Sequence, residues 1–218
     1  MEAIDVGSLH WLTDAERQRL EGMASAERRA SFLAGHRLAR ALAASWHGVD
    51  AARVAVDRHD DGRPSLLLDG GPSPLSLSLS HSGGWVVAAV STLPIGVDVE
   101  VPRRPRDFHA LARRAFAPEE ASRLARMPCD AQAAAFHELW ALKEARGKRS
   151  GEGLLPARAR RVQAVPVPSS TAADAMSWRL ERDRAVALAL QGVETVQLDD
   201  GGRLDHVRHW RFDAVGEG

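Results

Sequence analysis

Two stretches of the chain carry residue types whose spacing suits chemistry. In Ile95-Gly-Val-Asp-Val-Glu100, two carboxylates alternate with valines. Alternate side chains of a strand share a face, so Asp98 and Glu100 point the same way, about 7 Å apart, while Val97 and Val99 point into the core. Carboxylates placed like this repel one another unless a cation lies between them. A hard ion such as Mg²⁺ takes few protein carboxylates and fills its shell with water and phosphate oxygens. Taken alone, the pair is better described as two solvated acids at the end of a strand.

The second stretch is Phe136-His-Glu-Leu-Trp-Ala-Leu-Lys-Glu-Ala-Arg-Gly-Lys148. It holds both lysines of a chain with 29 Lys and Arg, so positive charge is written as arginine everywhere else. Lysine is a compact charge on a flexible stem that approaches a phosphate oxygen closely and shifts its pKa when desolvated. On a helix, Phe136, Leu139, Trp140 and Lys143 share one face, and His137, Glu144 and Lys148 lie on an adjoining stripe. Lys143 therefore belongs to the apolar face, reaching past it into a cleft or meeting an anionic partner. Glu144 and Lys148, one turn apart, read by themselves as a surface ion pair. A zinc motif His-Glu-x-x-His fails because residue 141 is Ala.

Ser78-Leu-Ser-His-Ser-Gly-Gly-Trp85 joins two strands through small residues, and Ser80, His81 and Ser82 offer donors suited to phosphate. The nucleophile elbow Gly-x-Ser-x-Gly does not occur there. Asp61-Gly-Arg-Pro64 is by itself an ordinary turn. Arg28, Arg29, Arg37 and Arg40 fall on one helix, where by themselves they make a solvated face.

The elements that must position these residues follow from periodicity and caps. Thr13, with Glu16 three residues on, opens a short helix over Leu12 to Arg19. Ser25 to Trp46 is a long amphipathic helix ended by Gly48. Short runs then predict strands at Arg53–Asp57, Pro64–Leu68, Leu75–Ser80, Trp85–Ser91 and Ile95–Glu100. Helices are expected at Phe108–Phe116 and Pro118–Met127, the second with Pro118 at its first position. Asp130 is expected to cap a longer one through Arg146 or Lys148. Further strands are expected at Arg160–Val165, Ser177–Arg182, Ala185–Gln191, Glu194–Leu198 and Val207–Phe212, with a surface loop over Val165–Ala175. The expected class is α+β, as two similar helix-plus-antiparallel-sheet halves in a pseudo-dimer. They would span residues 1–102 and 103–218, with the active site at their junction.

Composition bounds the function. Acidic and basic residues balance at 29 each, so global charge points neither to nucleic acid nor to an anionic membrane. Cys129 is the one cysteine, which rules out an intramolecular disulfide. The first residues lack the basic and apolar regions of a signal peptide, and no apolar run is long enough to span a bilayer. The expectation is a cytoplasmic monomer.

Four blocks in order, Gly62-Arg63-Pro64, Ser80-His81-Ser82-Gly83, Gly96-Val97-Asp98-Val99-Glu100 and Trp140-Ala-Leu-Lys143-Glu144-Ala-Arg-Gly-Lys148, resemble the 4′-phosphopantetheinyl transferases. The last two resemble that family's signature pair, and the length resembles its monomeric, two-subdomain branch. The resemblance covers about residues 25 to 155.

It implies transfer of the 4′-phosphopantetheine arm of coenzyme A to a serine of an acyl or peptidyl carrier protein, releasing adenosine 3′,5′-bisphosphate. The alternative on the same fold is a non-catalytic coenzyme A or carrier-binding module. By resemblance, Asp98, Glu100 and Glu144 hold Mg²⁺ (or Mn²⁺), and Glu144 takes the serine proton. Lys148 contacts the phosphates and Lys143 helps hold that region. Ser80 and His81 resemble a phosphate-contacting pair, with His81 counted among the catalytic groups, and Gly62, Arg63 and Pro64 resemble the turn beside the adenine. Arg40, with Arg28 or Arg29, is the candidate for the 3′-phosphate, although His36 follows Gly35 where an arginine is common. The basic segment Arg103 to Arg114 is the expected docking surface for an acidic carrier protein.

Overall fold

The computed structural model describes residues 9–102, 107–153, 155–169, 172–180, 184–190 and 196–216. Its class is mixed α+β, as expected. The chain divides into two compact units, Met1–Leu93 and Pro94–Gly218. The sequence had suggested a division at 102/103, which would leave strand Ile95–Glu100 with the first half. That strand instead pairs antiparallel with Arg184–Leu190 and so belongs to the second unit's sheet.

In the first unit, α1 (Asp14–Glu21) opens with the expected capping box, in which Thr13 accepts from Glu16 N and Glu16 accepts from Thr13 N. α2 (Ala26–His47) starts at Ser25 and stops at Gly48, whose φ of 65° is left-handed. Strands β1 (Val54–Arg58), β2 (Pro64–Leu68) and β3 (Gly71–Pro72) form one antiparallel sheet, and β4 (Ser76–Ser82) pairs with β5 (Trp85–Ser91) in a hairpin. Ala39, Ala43 and Ala44 of α2 share a core with Val54, Val56, Leu66, Leu75 and Leu77. A second core of Leu12, Leu20, Phe32 and Leu33 seats α1 on α2.

In the second unit, β6 (Ile95–Glu100) is followed by α3 (Phe108–Ala115), α4 (Pro118–Ala125), α5 (Cys129–Ser150) and the short α6 (Pro156–Ala159). Strands β7 (Val162–Val167), β8 (Ala175–Leu180), β9 (Arg184–Leu190) and β10 (Leu204–Ala214) complete a five-stranded sheet in the order β6-β9-β8-β10-β7. In its register Gly96, Asp98 and Glu100 lie opposite Ala189, Ala187 and Ala185, and Ala187 and Ala189 lie opposite Ser177 and Ala175. Apart from Asp98 and Glu100, the sheet face shared by these residues is therefore built from small side chains. It shares a core with Phe136, Leu139, Ala141, Leu142 and Ala145 of α5, so the helix lies close to the strands.

Two local expectations are corrected. α5 begins at Cys129 after Pro128 with no side-chain cap, so Asp130 sits in the first turn, where its charge meets the helix dipole, instead of capping it. Of the expected strand Glu194–Leu198, residues 194 and 195 lie outside the described set, and Val196 to Leu198 carry no strand.

Candidate active site

The geometry of the second unit turns on Gly96. A Cβ there would lie 1.9 Å from Ala145 O and 2.6 Å from Arg149 N, both main-chain atoms of α5. Only glycine allows this approach. It puts the last turns of α5 against the middle of β6. Lys148 Nζ then donates to Asp98 Oδ1 at 2.7 Å and to Val97 O at 3.1 Å. Asp98, 4% exposed, is thus no solvated strand end. Its charge is countered inside the fold, as a buried carboxylate requires.

Glu144 lies one turn before Lys148 and is half-buried. Burial raises its pKa above the ordinary carboxylate value and the Asp98 charge adds to that rise, while Lys148 opposes it. Asp98, Glu144 and Lys148, from two elements and distant in sequence, therefore act on one another. Glu100, two residues along β6 on the same face as Asp98, has Oε2 3.9 Å from His137 Nδ1. His137 is buried, edge-on to Phe108 and Phe136, with ring centroids 5.5 Å and 5.4 Å away.

The donor chemistry partly fits a divalent cation. Two mutually repelling carboxylates, Asp98 and Glu144, meet here, and a positive charge relieves them. Among the described residues, however, no three of His, Cys, Asp and Glu gather in an arrangement that would hold a metal ion. Lys148 puts a positive charge against Asp98 and lowers the Glu144 pKa, so it relieves part of the repulsion between the two acids.

Lys143 is placed elsewhere than expected. Its Nζ lies 2.8 Å from Glu120 Oε2 and donates to Ala159 O at 3.0 Å and to Val162 O. Glu120 in turn accepts from Ala117 N at 2.9 Å and from Ala164 N at 2.7 Å. Both side chains are fully buried, so this lysine ties α4, α5, α6 and β7 together. Burial pulls its pKa down, and the Glu120 charge works against that.

Arg40 is likewise internal. Its guanidinium grips Glu16, with Nη1 2.9 Å from Oε1 and Nη2 2.6 Å from Oε2, and lies 4.9 Å from the centroid of the Trp11 ring. His36, whose Nδ1 is 2.6 Å from Glu16 Oε1, completes the network. A helix arginine spent on a buried acid is not available as a 3′-phosphate ligand. Arg29 donates to Leu20 O at 3.1 Å, and Arg28 is exposed.

The remaining predicted residues of the first unit lie on turns and strand ends. Ser80 is buried and His81 exposed on β4. Gly62, at φ 84°, forms a turn closed by His59 N donating to Arg63 O at 2.9 Å. Arg63 is exposed and paired with Asp61, and Pro64 opens β2. Of the expected docking segment, Arg103, Arg104 and Arg106 lie outside the described residues. Arg113 and Arg114 are exposed in the last turn of α3.

Comparison with known proteins places these features. Residues 94–189, which hold β6 and all of α5, match the model of the 4′-phosphopantetheinyl transferase superfamily. A 4′-phosphopantetheinyl transferase of Bacillus subtilis is 30% identical over 93% of this chain and 83% of its own length. The 4′-phosphopantetheinyl transferase HetI of Nostoc sp. is 31% identical over 71% of this chain and 65% of its own. The transferase Sfp of Bacillus subtilis strain 168 is 28% identical over 79% and 70%. With the Bacillus subtilis likeness running almost end to end, this chain belongs to the 4′-phosphopantetheinyl transferase superfamily.

Proposed function

We propose that the chain transfers the 4′-phosphopantetheine arm of coenzyme A to a serine hydroxyl of an apo acyl or peptidyl carrier protein. The observation that carries this is the Asp98–Lys148 pair with Glu144 beside it, inside the segment that matches the family. A half-buried carboxylate with a raised pKa is a better proton acceptor than a solvated one. Glu144, directly or through a water, removes the proton from the serine Oγ. That oxygen attacks the phosphorus bearing the pantetheine arm, and the bridging P–O bond breaks, releasing adenosine 3′,5′-bisphosphate. Lys148 places its ammonium where negative charge builds on the phosphates.

Asp98, Glu100 and Glu144 carry the donor chemistry for Mg²⁺, or Mn²⁺ in its place. When bound, the ion neutralises and orients the diphosphate. Ser80 and His81 are assigned to the phosphates and the Gly62-Arg63-Pro64 turn to the adenine. With Arg40 committed to Glu16, Arg28 and Arg29 remain as cations for the 3′-phosphate. The exposed Arg113 and Arg114 offer an acidic carrier protein a basic edge on α3.

The test is incubation with coenzyme A, Mg²⁺ and a panel of apo carrier proteins, followed by intact-mass measurement. A mass gain of one phosphopantetheine arm on the carrier supports the proposal. Coenzyme A binding with no transfer to any carrier would mean a binding module instead.

A further inference from the structure

The second unit contains a cavity of about 290 Å³ lined by Arg146, Arg149, Val162, Asp174, Phe212 and Ala214. It lies away from the Asp98–Lys148 pair. Counting about 100° per residue around α5 from Glu144, Lys148 is about 40° away, whereas Arg149 and Arg146 are about 140° and 160° away. The proposed transfer uses none of the six residues.

Among the described lining residues, two arginines face one carboxylate. Arg149 is desolvated, which pulls its pKa below the ordinary arginine value. The Asp174 charge opposes that effect and the Arg146 charge adds to it. Among the described residues, buried Nη1 of Arg149 has no hydrogen-bond partner. Unsatisfied buried donors are uncommon, and for a guanidinium they are costly. Asp174, the one carboxylate among the described lining residues, already accepts from Phe212 N at 2.9 Å. Arg146 lies 6.0 Å from the Phe212 ring centroid, so the lining combines cationic and aromatic surface. Two guanidiniums lining one cavity repel unless an anion joins them, and their planar forks suit phosphate oxygens.

We infer that the cavity bounded by Arg146, Arg149 and Phe212 is a second anion site that takes a phosphate-class oxyanion. The phosphate is either free or the terminal group of a small organic ester whose body lies on Val162, Phe212 and Ala214. The site stands independently of the transfer reaction.

Isothermal titration calorimetry in EDTA, with inorganic phosphate and phenyl phosphate as probes, tests this without metal-bridged binding elsewhere. Saturable binding of one equivalent is expected. Arg149→Gln and Arg146→Gln should each weaken it by about tenfold or more, the scale of one charge-assisted hydrogen bond. Asp174→Asn, which removes the competing carboxylate, should tighten it. Phenyl phosphate binding more tightly than inorganic phosphate identifies an organic phosphate as the ligand class, and the reverse order identifies the free ion. Unchanged circular dichroism and urea midpoints establish that the variants are folded, and Arg149→Lys, which keeps the charge, should retain part of the affinity. The proposal is overturned if neither probe saturates, or if binding survives Arg149→Gln but is lost in Lys148→Met, which would put the anion at the Asp98 pair.

Discussion

Lys148 Nζ lies 2.7 Å from Asp98 Oδ1, joining residues fifty positions apart on α5 and β6. The same ammonium holds the Val97 carbonyl, so it fixes the strand's main chain and side chain together. Lys148→Met leaves the buried Asp98 carboxylate without this donor and should lower unfolding free energy by about 1–3 kcal/mol. Transfer should fall by about 10²–10³, because the charge that meets the phosphates is gone. Urea titration and a phosphopantetheine transfer assay measure the two effects separately.

Glu144 is expected to titrate above 4.5 in the metal-free protein, because burial and the Asp98 charge both favour its neutral form. Asp98→Asn should bring its pKa down, and Lys148→Met, which removes the opposing positive charge, should push it higher. Carbon-detected NMR titration of the side-chain carboxyl checks both directions.

Lys143 has an ammonium in the same signature but a different task. Its fully buried pairing with Glu120 predicts that Lys143→Met costs about 3–5 kcal/mol of stability, by stranding the Glu120 charge. Transfer per folded molecule should be unchanged. Urea unfolding, combined with activity normalised to the folded fraction, separates this from a phosphate-binding role.

The first unit should be sensitive to acid through Glu16. Burial works to raise its pKa, yet hydrogen bonds from His36, Arg40 and Thr13 hold it at about 2, below the ordinary 4.5. A depressed acid gives its stabilisation in full above the unfolded value and loses it as pH falls from 4.5 toward about 2. The loss amounts to about 3 kcal/mol. Burial also pulls the His36 pKa below 6.5, despite the opposing pull of Glu16, so protonation of the unfolded chain adds a loss that begins as pH falls through that value. Stability should therefore decline continuously from near neutrality into acid, and Glu16→Gln should flatten the lower part of the curve. Urea midpoints at several pH values test this.

Much of the local structure was legible because its signals are local. The Thr13–Glu16 box, Gly48, Pro118 and the strand alternation around Asp98 each name an element from a few neighbouring residues. The destinations of charged side chains were less legible. Arg40 and Lys143 look like ligands until Glu16 and Glu120 are seen inside the fold. Each of those acids sits at the third position of a helix, where a cap explains it fully without a distant partner. The division between units was misplaced because β6 pairs with β9, far along the chain, and periodicity carries no pairing information. Gly96, a glycine inside a strand, was the available sign of a close approach, but nothing in the sequence says that α5 is the element approaching.

The most direct test of the account is the transfer rate of Glu144→Gln beside that of the unmodified chain, with coenzyme A, Mg²⁺ and an apo carrier protein that the unmodified chain loads. The variant is expected to be folded and slower by about 10³, the scale of a lost general base. Loading at the full rate by folded Glu144→Gln would contradict it.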